Sequence, residues 1–334
     1  MVEALARWAN PSSPHAEGRA AKAALERARS EVADALGWRH DVLFTSGASE
    51  AVGIVAARAL PQRRLVGATE HDVVPYHMGG QATELVVDGA GRVVPAALTA
   101  ALAGAPALVA VQQVNNETGV LQPLGEIAER VRAAGGLLLA DCAQGAGKID
   151  LPVADFIAIS AHKFGGPPGI GALLVRDLAT LAPSGGQEKG YRRGTQNLPA
   201  AAGMAAALVC GAHREAMPRL AGLREQLEEG VIAAGGVVIG TEAERIPAIS
   251  AIALPGASRD GLLIDLDLAG FAVSAGSACA SGKMKASRVL AAMGVSNAVM
   301  QSALRLSFGP QTDAGDIAAF LAAFARIAGR RRAA

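Results

Sequence analysis

Cysteine is nearly missing from this 334-residue chain: Cys142, Cys210 and Cys279 are the whole set. Three scattered thiols, none in a CxxC pair, exclude a disulfide framework and fit a reducing compartment, the cytoplasm. Aromatic residues are scarce as well, at 3%. Ala, Val, Leu and Gly must therefore fill the interior. No charge of one sign prevails, since the net charge is +1. The one basic run, "GRRRAA" at the end of the chain, reads as a solvated tail, so no nucleic-acid partner is expected. No apolar run reaches the roughly 18 residues of a membrane span. The opening "MVEALARWANPSS" lacks the charged region and apolar stretch of a signal peptide. The six histidines and three cysteines show no HxxxH, HxxEH or CxxC spacing, which sets resident metal sites aside.

What is present in quantity is short apolar runs. "DVLFT" (41–45), "RLVGA", "ELVVD", "ALVAVQQ", "GLLLA", "FIAIS" and "IGALLV" read as strands. Helical patterns separate several of them: 17–37, ended by Gly37, then 50–60 and 124–135. Alternating short strands and helices predict an α/β domain with a mainly parallel sheet flanked by helices. After about residue 200 the pattern changes to long Ala/Leu/Glu-rich helices, three more short apolar runs and a closing helix. We read a large domain over 10–205 and a smaller α+β domain over 206–330, with the N-terminal segment able to pack on the smaller one.

Several chemistry-bearing residues stand just after predicted strands, the edge where α/β proteins collect ligand groups. "TSGASE" (45–50) joins a strand to a helix, and the free N–H groups of a helix start beside a serine hydroxyl suit a phosphate. The same stretch also reads as a plain N-capped helix with Ser49 as the cap. Lys163 in "SAHKFGGPPGIG" directly follows "FIAIS". A lysine held against a sheet end can be desolvated into an imine-forming amine, or can be a surface lysine beside a turn. The glycines come after it, which excludes a P-loop. Asp141 ends "LLLAD" with Gln144 three residues on. It suits either a protonated pyridine nitrogen or a local helix cap. His71 follows another strand, and Asn115 and Asn116 in "VNNETG" another. A lone histidine is more often structural, and an Asn pair before Gly is usually a turn.

Taken together, "NPSSPHAEGRAAK", "TSGASEA", "ATEHDVV", "VNNETGVLQPL", "DCAQGAGKID", "ISAHKFGGPPGIGALLVR", "GGQEKGYRRGTQN", "VSAGSACASGKMKASRVL" and "ALRLSFG" resemble the cysteine desulfurases of the NifS/IscS type, class V aminotransferases of fold-type I. The resemblance runs in order over nearly the whole chain. It implies pyridoxal 5'-phosphate as cofactor, with Lys163 forming the internal aldimine, Asp141 pairing with the pyridinium nitrogen and Gln144 with the ring hydroxyl. His71 would stack on the ring and take part in proton transfer. Ala48 through its amide, Ser49, Ser160 and His162 would hold the phosphate. Thr195 would reach the phosphate of a neighbouring subunit, which implies a homodimer. Asn116 and Arg305 would hold the carboxylate of L-cysteine. Cys279, in the small-residue stretch "GSACASGK", would be the nucleophile that takes up sulfur as a persulfide, able to ligate a nascent cluster transiently. The length of the stretch after Cys279 matches the long-loop group, which implies an iron–sulfur scaffold or tRNA-thiolation protein as sulfur acceptor. Its "KMK" is basic where such proteins usually carry an acidic residue and proline. Cys142 and Cys210 are expected to be filler and core.

Two further enzyme readings compete, a selenocysteine lyase and another class V aminotransferase. The second needs no loop thiol. From a different class comes a degenerate, non-catalytic binding partner, against which the presence of Lys163, Asp141, His71, Arg305 and Cys279 together argues.

Overall fold

The computed structural model describes residues 1–276 and 287–332, without the side chains of the last two. The predicted apolar runs become a seven-stranded sheet and a three-stranded one. The first comprises β1 (Asp41–Thr45), β2 (Arg63–Gly67), β3 (Thr83–Leu85), β4 (Ala107–Gln112), β5 (Leu137–Asp141), β6 (Phe156–Ser160) and β7 (Gly171–Val175), in the order β1-β7-β6-β5-β4-β2-β3. Strands β6, β5, β4, β2 and β3 run parallel, while β7 is antiparallel to both its neighbours. Every residue of β4, β6 and β7 is buried, as expected of central strands covered on both faces.

The register decides where the ends of these strands fall. Thr45 of β1 and Ser160 of β6 both stand opposite Gly171 of β7. Gln112 stands opposite Asp141, and Asp141 opposite Ala158. The last residues of β1, β6, β5 and β4 therefore share one edge of the sheet. No side chain fits at Gly171: a Cβ there would lie 2.3 Å from the Ile159 carbonyl oxygen and 2.7 Å from the Gly47 Cα.

The chain divides into two compact units. One holds Met1–Leu85, Pro95–Gln113 and Pro123–Arg214; the other holds Val86–Val94, Val114–Gln122 and Glu215–Ala334. In the first unit the helix Ala16–Ala35 buries Gly18, Ala21, Leu25, Ala28 and Val32, a stripe at helical spacing, and packs on the helix Leu198–Cys210. The short helix Val2–Ala6 also packs on Leu198–Cys210. The N-terminal segment thus groups with the large sheet. Cys210 is exposed at the end of its helix rather than in the core. The Ala-rich pattern hid this because alanine occupies both faces.

The second unit is built on β8 (Val237–Ile239), β9 (Ile249–Ala253) and β10 (Leu304–Ser307), an antiparallel sheet in the order β10-β9-β8. The helices Arg259–Leu268 and Ala314–Arg332 pack together in this unit. The segments 86–94 and 114–122 join each other within it. Gln122 accepts from the Val93 N–H at 3.0 Å and donates to the Gly91 carbonyl at 2.6 Å. No helix among the described residues is long and apolar enough to cross a membrane.

Candidate active site

The shared sheet edge of the first unit gathers most of the residues singled out above. After β1 the chain turns at Gly47 and enters the helix Ala48–Arg58. Gly47, not Ser49, is the N-cap, and no side chain caps the helix. Ser49 lies inside the first turn, so its reading as a cap is corrected. The reason is local. Gly47 adopts φ +156°, and a Cβ there would lie 3.3 Å from the Ser160 Oγ. Only glycine lets the helix start come this close to the end of β6. The first N–H groups of a helix have no partner within it. Those of Ala48 and Ser49 are therefore set beside Ser160, whose hydroxyl lies 3.2 Å from His162 Nδ1. Burial, and after it the charge of Lys163, hold the His162 imidazole below its ordinary pKa. Uncapped amides, two hydroxyls and an imidazole make a donor set suited to a phosphate.

Ser160 ends β6, and a single 3-10 turn, Ala161–Lys163, follows. It presents Lys163 half-buried at the same edge. Asp141 ends β5 and is buried. One of its carboxylate oxygens accepts the Ala143 N–H at 2.9 Å. Burial holds this carboxyl above its ordinary range, against the Ala143 hydrogen bond and the charges of His71 and Lys163, which pull it down. Asp141, His71 and Lys163 therefore share one electrostatic environment. His71 follows β2, and its Nδ1 accepts the Val73 N–H at 3.3 Å. Gln144 is half-buried in the turn after Asp141. Cys142, fully buried, is inert. Burial, then the charges of Asp141 and Glu70, push its thiol well above the usual range.

Thr195 is not brought into this group by any hydrogen bond among the described residues. It is exposed in the loop between β7 and the helix Leu198–Cys210. Arg192 pins that loop beside the helix start, donating from Nε to Glu50 Oε1 at 3.0 Å. Buried Glu188 pins it again, accepting from Arg29 (2.6 and 3.1 Å), the Phe44 N–H (2.8 Å) and Gln196 (2.9 Å).

Asn116 and Arg305 come together in the second unit. Arg305 on β10 donates from Nη1 to the Asn116 carbonyl at 3.0 Å and from Nη2 to the Ser274 hydroxyl at 3.2 Å. The Asn116 side-chain oxygen is buried with no hydrogen-bond partner among the described residues. Asn115 is an organiser of the turn: its side-chain oxygen accepts from Glu117 N, Thr118 N and the Thr118 hydroxyl. Cys279, the expected nucleophile, lies outside the described residues. The nearest described residues on either side both meet Glu117, which sequence reasoning missed. Ser287 donates to Glu117 Oε2 at 2.6 Å, and a Cβ on Gly276 would lie 3.1 Å from the same oxygen. Its position inside "NNETG", beside two residues singled out for other reasons, was the available signal.

The donor set fits pyridoxal 5'-phosphate on three points of this structure: the uncapped helix start against Ser160, the under-compensated buried Asp141, and the lysine on a tight turn beside it. Among the described residues no three His, Cys, Asp or Glu side chains group to hold a metal ion.

Residues 3–320 match the family model described as aminotransferase class-V. A cysteine desulfurase of Cereibacter sphaeroides is 37% identical over 98% of this chain and 90% of its own length. A NifS-like protein from Rickettsia africae, solved by X-ray, superposes with a TM-score of 0.88 at 29% identity, covering 98% of this chain and 93% of its own. SspA, solved in complex with cysteine, superposes with a TM-score of 0.76 at 28% identity over 92% of this chain and 93% of its own.

Proposed function

The chain belongs to the aminotransferase class-V family, with the cysteine desulfurases, and from that premise we propose that it removes sulfur from L-cysteine and leaves it as a persulfide on Cys279. The observation that carries this reading is the meeting of Asp141, Lys163, His71, Ser160 and an uncapped helix start at one sheet edge. Pyridoxal 5'-phosphate, when bound, supplies an electron sink for charge developing on the substrate carbon.

The chain's own groups do the rest. The Ala48 amide, Ser49, Ser160 and His162 hold the phosphate, and Gln144 holds the ring hydroxyl. Burial of Asp141 has a consequence for its partner. A carboxylate pushed up by desolvation gains most from a cation brought against it, so it keeps the ring nitrogen protonated. Arg305 and Asn116 take the substrate carboxylate, the arginine as a planar fork. The Lys163 amine takes the α-proton, and His71 assists in moving it. The Cys279 thiolate then attacks the substrate sulfur. A sulfur–sulfur bond forms and the carbon–sulfur bond breaks. Its electron pair stays with carbon, which takes a proton and leaves as L-alanine.

In this reading the enzyme is a cytoplasmic homodimer, with Thr195 reaching the partner subunit's phosphate, and an iron–sulfur scaffold or tRNA-thiolation protein collects the sulfur. The exposed position of Thr195 on a pinned loop supports this. The test is Cys279→Ser. It should abolish sulfide release with dithiothreitol and leave the yellow absorbance of the bound cofactor intact. Full activity in that variant, or a colourless protein that takes up no pyridoxal phosphate, overturns the reading.

A further inference from the structure

Lys148 has no place in the mechanism above, yet it is one of only six lysines and is 7% exposed. Its ammonium donates to the Gln144 carbonyl at 2.9 Å, closing the turn that follows Asp141. That turn packs tightly on the segment after Lys163. A Cβ on Gly147 would meet the Phe164 Cβ at 3.0 Å, and one on Gly165 would lie 3.5 Å from His213 Nε2. A buried lysine on a turn packed against the segment of a second, half-buried lysine, with a partly buried imidazole as the third basic group, is an unusual arrangement.

We propose that Lys148 is a positioning residue: it fixes the turn bearing Gln144 and sets a second positive charge against the segment bearing Lys163, weakening proton binding there. The inference rests on the cofactor reading just given and deepens it. A nitrogen that must accept the α-proton works better when a neighbouring cation opposes its protonation. Among the described residues, Lys163 and His213 share an electrostatic interaction with Lys148, Asp141 and His162 with Lys163, and His71 with Asp141. Asp150, two residues beyond Lys148, is paired with Arg214 at 2.5 Å. Burial, and then the charge of Lys163, lower Lys148 to about 8. Its charge is therefore present at neutral pH and lost above that value.

The experiment follows the visible absorbance of the cofactor-loaded protein through a pH titration. In Lys148→Met the midpoint should rise by about one pH unit. In Lys148→Arg, which keeps the charge, it should stay at the wild-type value. The wild-type and Lys148→Met curves should merge above about pH 8, where Lys148 is neutral. A merely structural role would disturb both variants alike. A Lys148→Met midpoint equal to wild type overturns the inference. The second measurement needs neither variant loading nor cofactor: the six lysines, labelled with ¹³C at Cε, are titrated by NMR in the unloaded protein. One resonance, missing in Lys148→Arg, should move near pH 8; if all six titrate in the ordinary lysine range, the inference fails. A protein that takes up no cofactor counts against the proposed function, while the lysine titration still decides this point.

Discussion

Asp141 in the first unit and Glu228 in the second are carboxylates of nearly equal burial, 9% and 8% exposed, in opposite surroundings. Glu228 is saturated. Arg245 grips it with two nitrogens at 2.7 and 2.8 Å, and the Ser250 hydroxyl donates at 2.7 Å. Burial opposes its ionisation, but these donors outweigh burial and lower its pKa. Asp141 has burial as its dominant influence and a single backbone donor in the site, and its pKa is raised. One carboxylate is finished by the protein. The other is left for something else to finish. The difference separates a group that holds the fold from a group that waits for a ligand.

Substitution should split the two cleanly. Asp141→Asn should lower turnover by about 10³-fold, since the ring nitrogen loses the anion that keeps it protonated. The unloaded variant should be no less stable than wild type at neutral pH. The sign follows from the raised pKa. Ionised Asp141 costs stability above its folded value, and the cost disappears as the pH falls below the ordinary value near 3.8. Denaturant melts of the unloaded proteins beside steady-state alanine production check both halves. A large loss of stability in Asp141→Asn would make the two carboxylates alike and break the contrast.

Glu228→Gln should do the reverse. Leaving Arg245 without its counter-charge costs about 3–5 kcal/mol of stability, with activity per folded molecule unchanged. Because the Glu228 pKa is lowered, its contribution is complete above the ordinary value near 4.5 and is lost as the pH falls through the folded value. The variant's stability deficit should therefore shrink in acid, read as the midpoint difference from wild type at successive pH values.

Arg305→Lys sharpens the comparison within the second unit. Arg245 spends its fork on Glu228, whereas the two hydrogen bonds described for Arg305 end on neutral oxygens, those of Asn116 and Ser274. A lysine cannot reproduce the fork. The expected loss is about 10–100-fold in kcat/KM, carried mainly by KM, with little change in melting temperature.

Much of this was legible from local pattern. The strands appear where the apolar runs are, and Asp141 and Lys163 stand out because each ends or follows such a run, whereas Ser160 and His162 enter only through the family resemblance. Long-range grouping was not legible. Residues 86–94 and 114–122, which a division at 205/206 leaves with the large domain, group with the second unit. They do so through contacts such as Gln122 with Gly91 and the bridge of Val120 to Arg245. The cap at Gly47 depends on the space left by Ser160, more than one hundred positions away, so the local Ser49 signal won on paper and lost in the fold. Glu188, Glu228 and Lys148 were passed over for the same reason. A buried charge is recognisable only by its partners, and those come from distant segments.

The anchoring of the Thr195 loop also bears on how the chain is made. The Phe44 amide is held by Glu188, 144 residues later, and among the described residues β1, on which Phe44 lies, pairs with β7 alone. At a ribosomal pace of about 5–20 residues per second, roughly 7–30 s separate the two ends of that contact. For most of this interval, until Gly171–Val175 is made, the apolar "DVLFT" strand has been synthesised but its sheet partner has not. An open strand edge of this kind is a template for pairing with other nascent chains. The late arrival of β7 thus makes the period of translation between them the time when this protein most needs protection from aggregation.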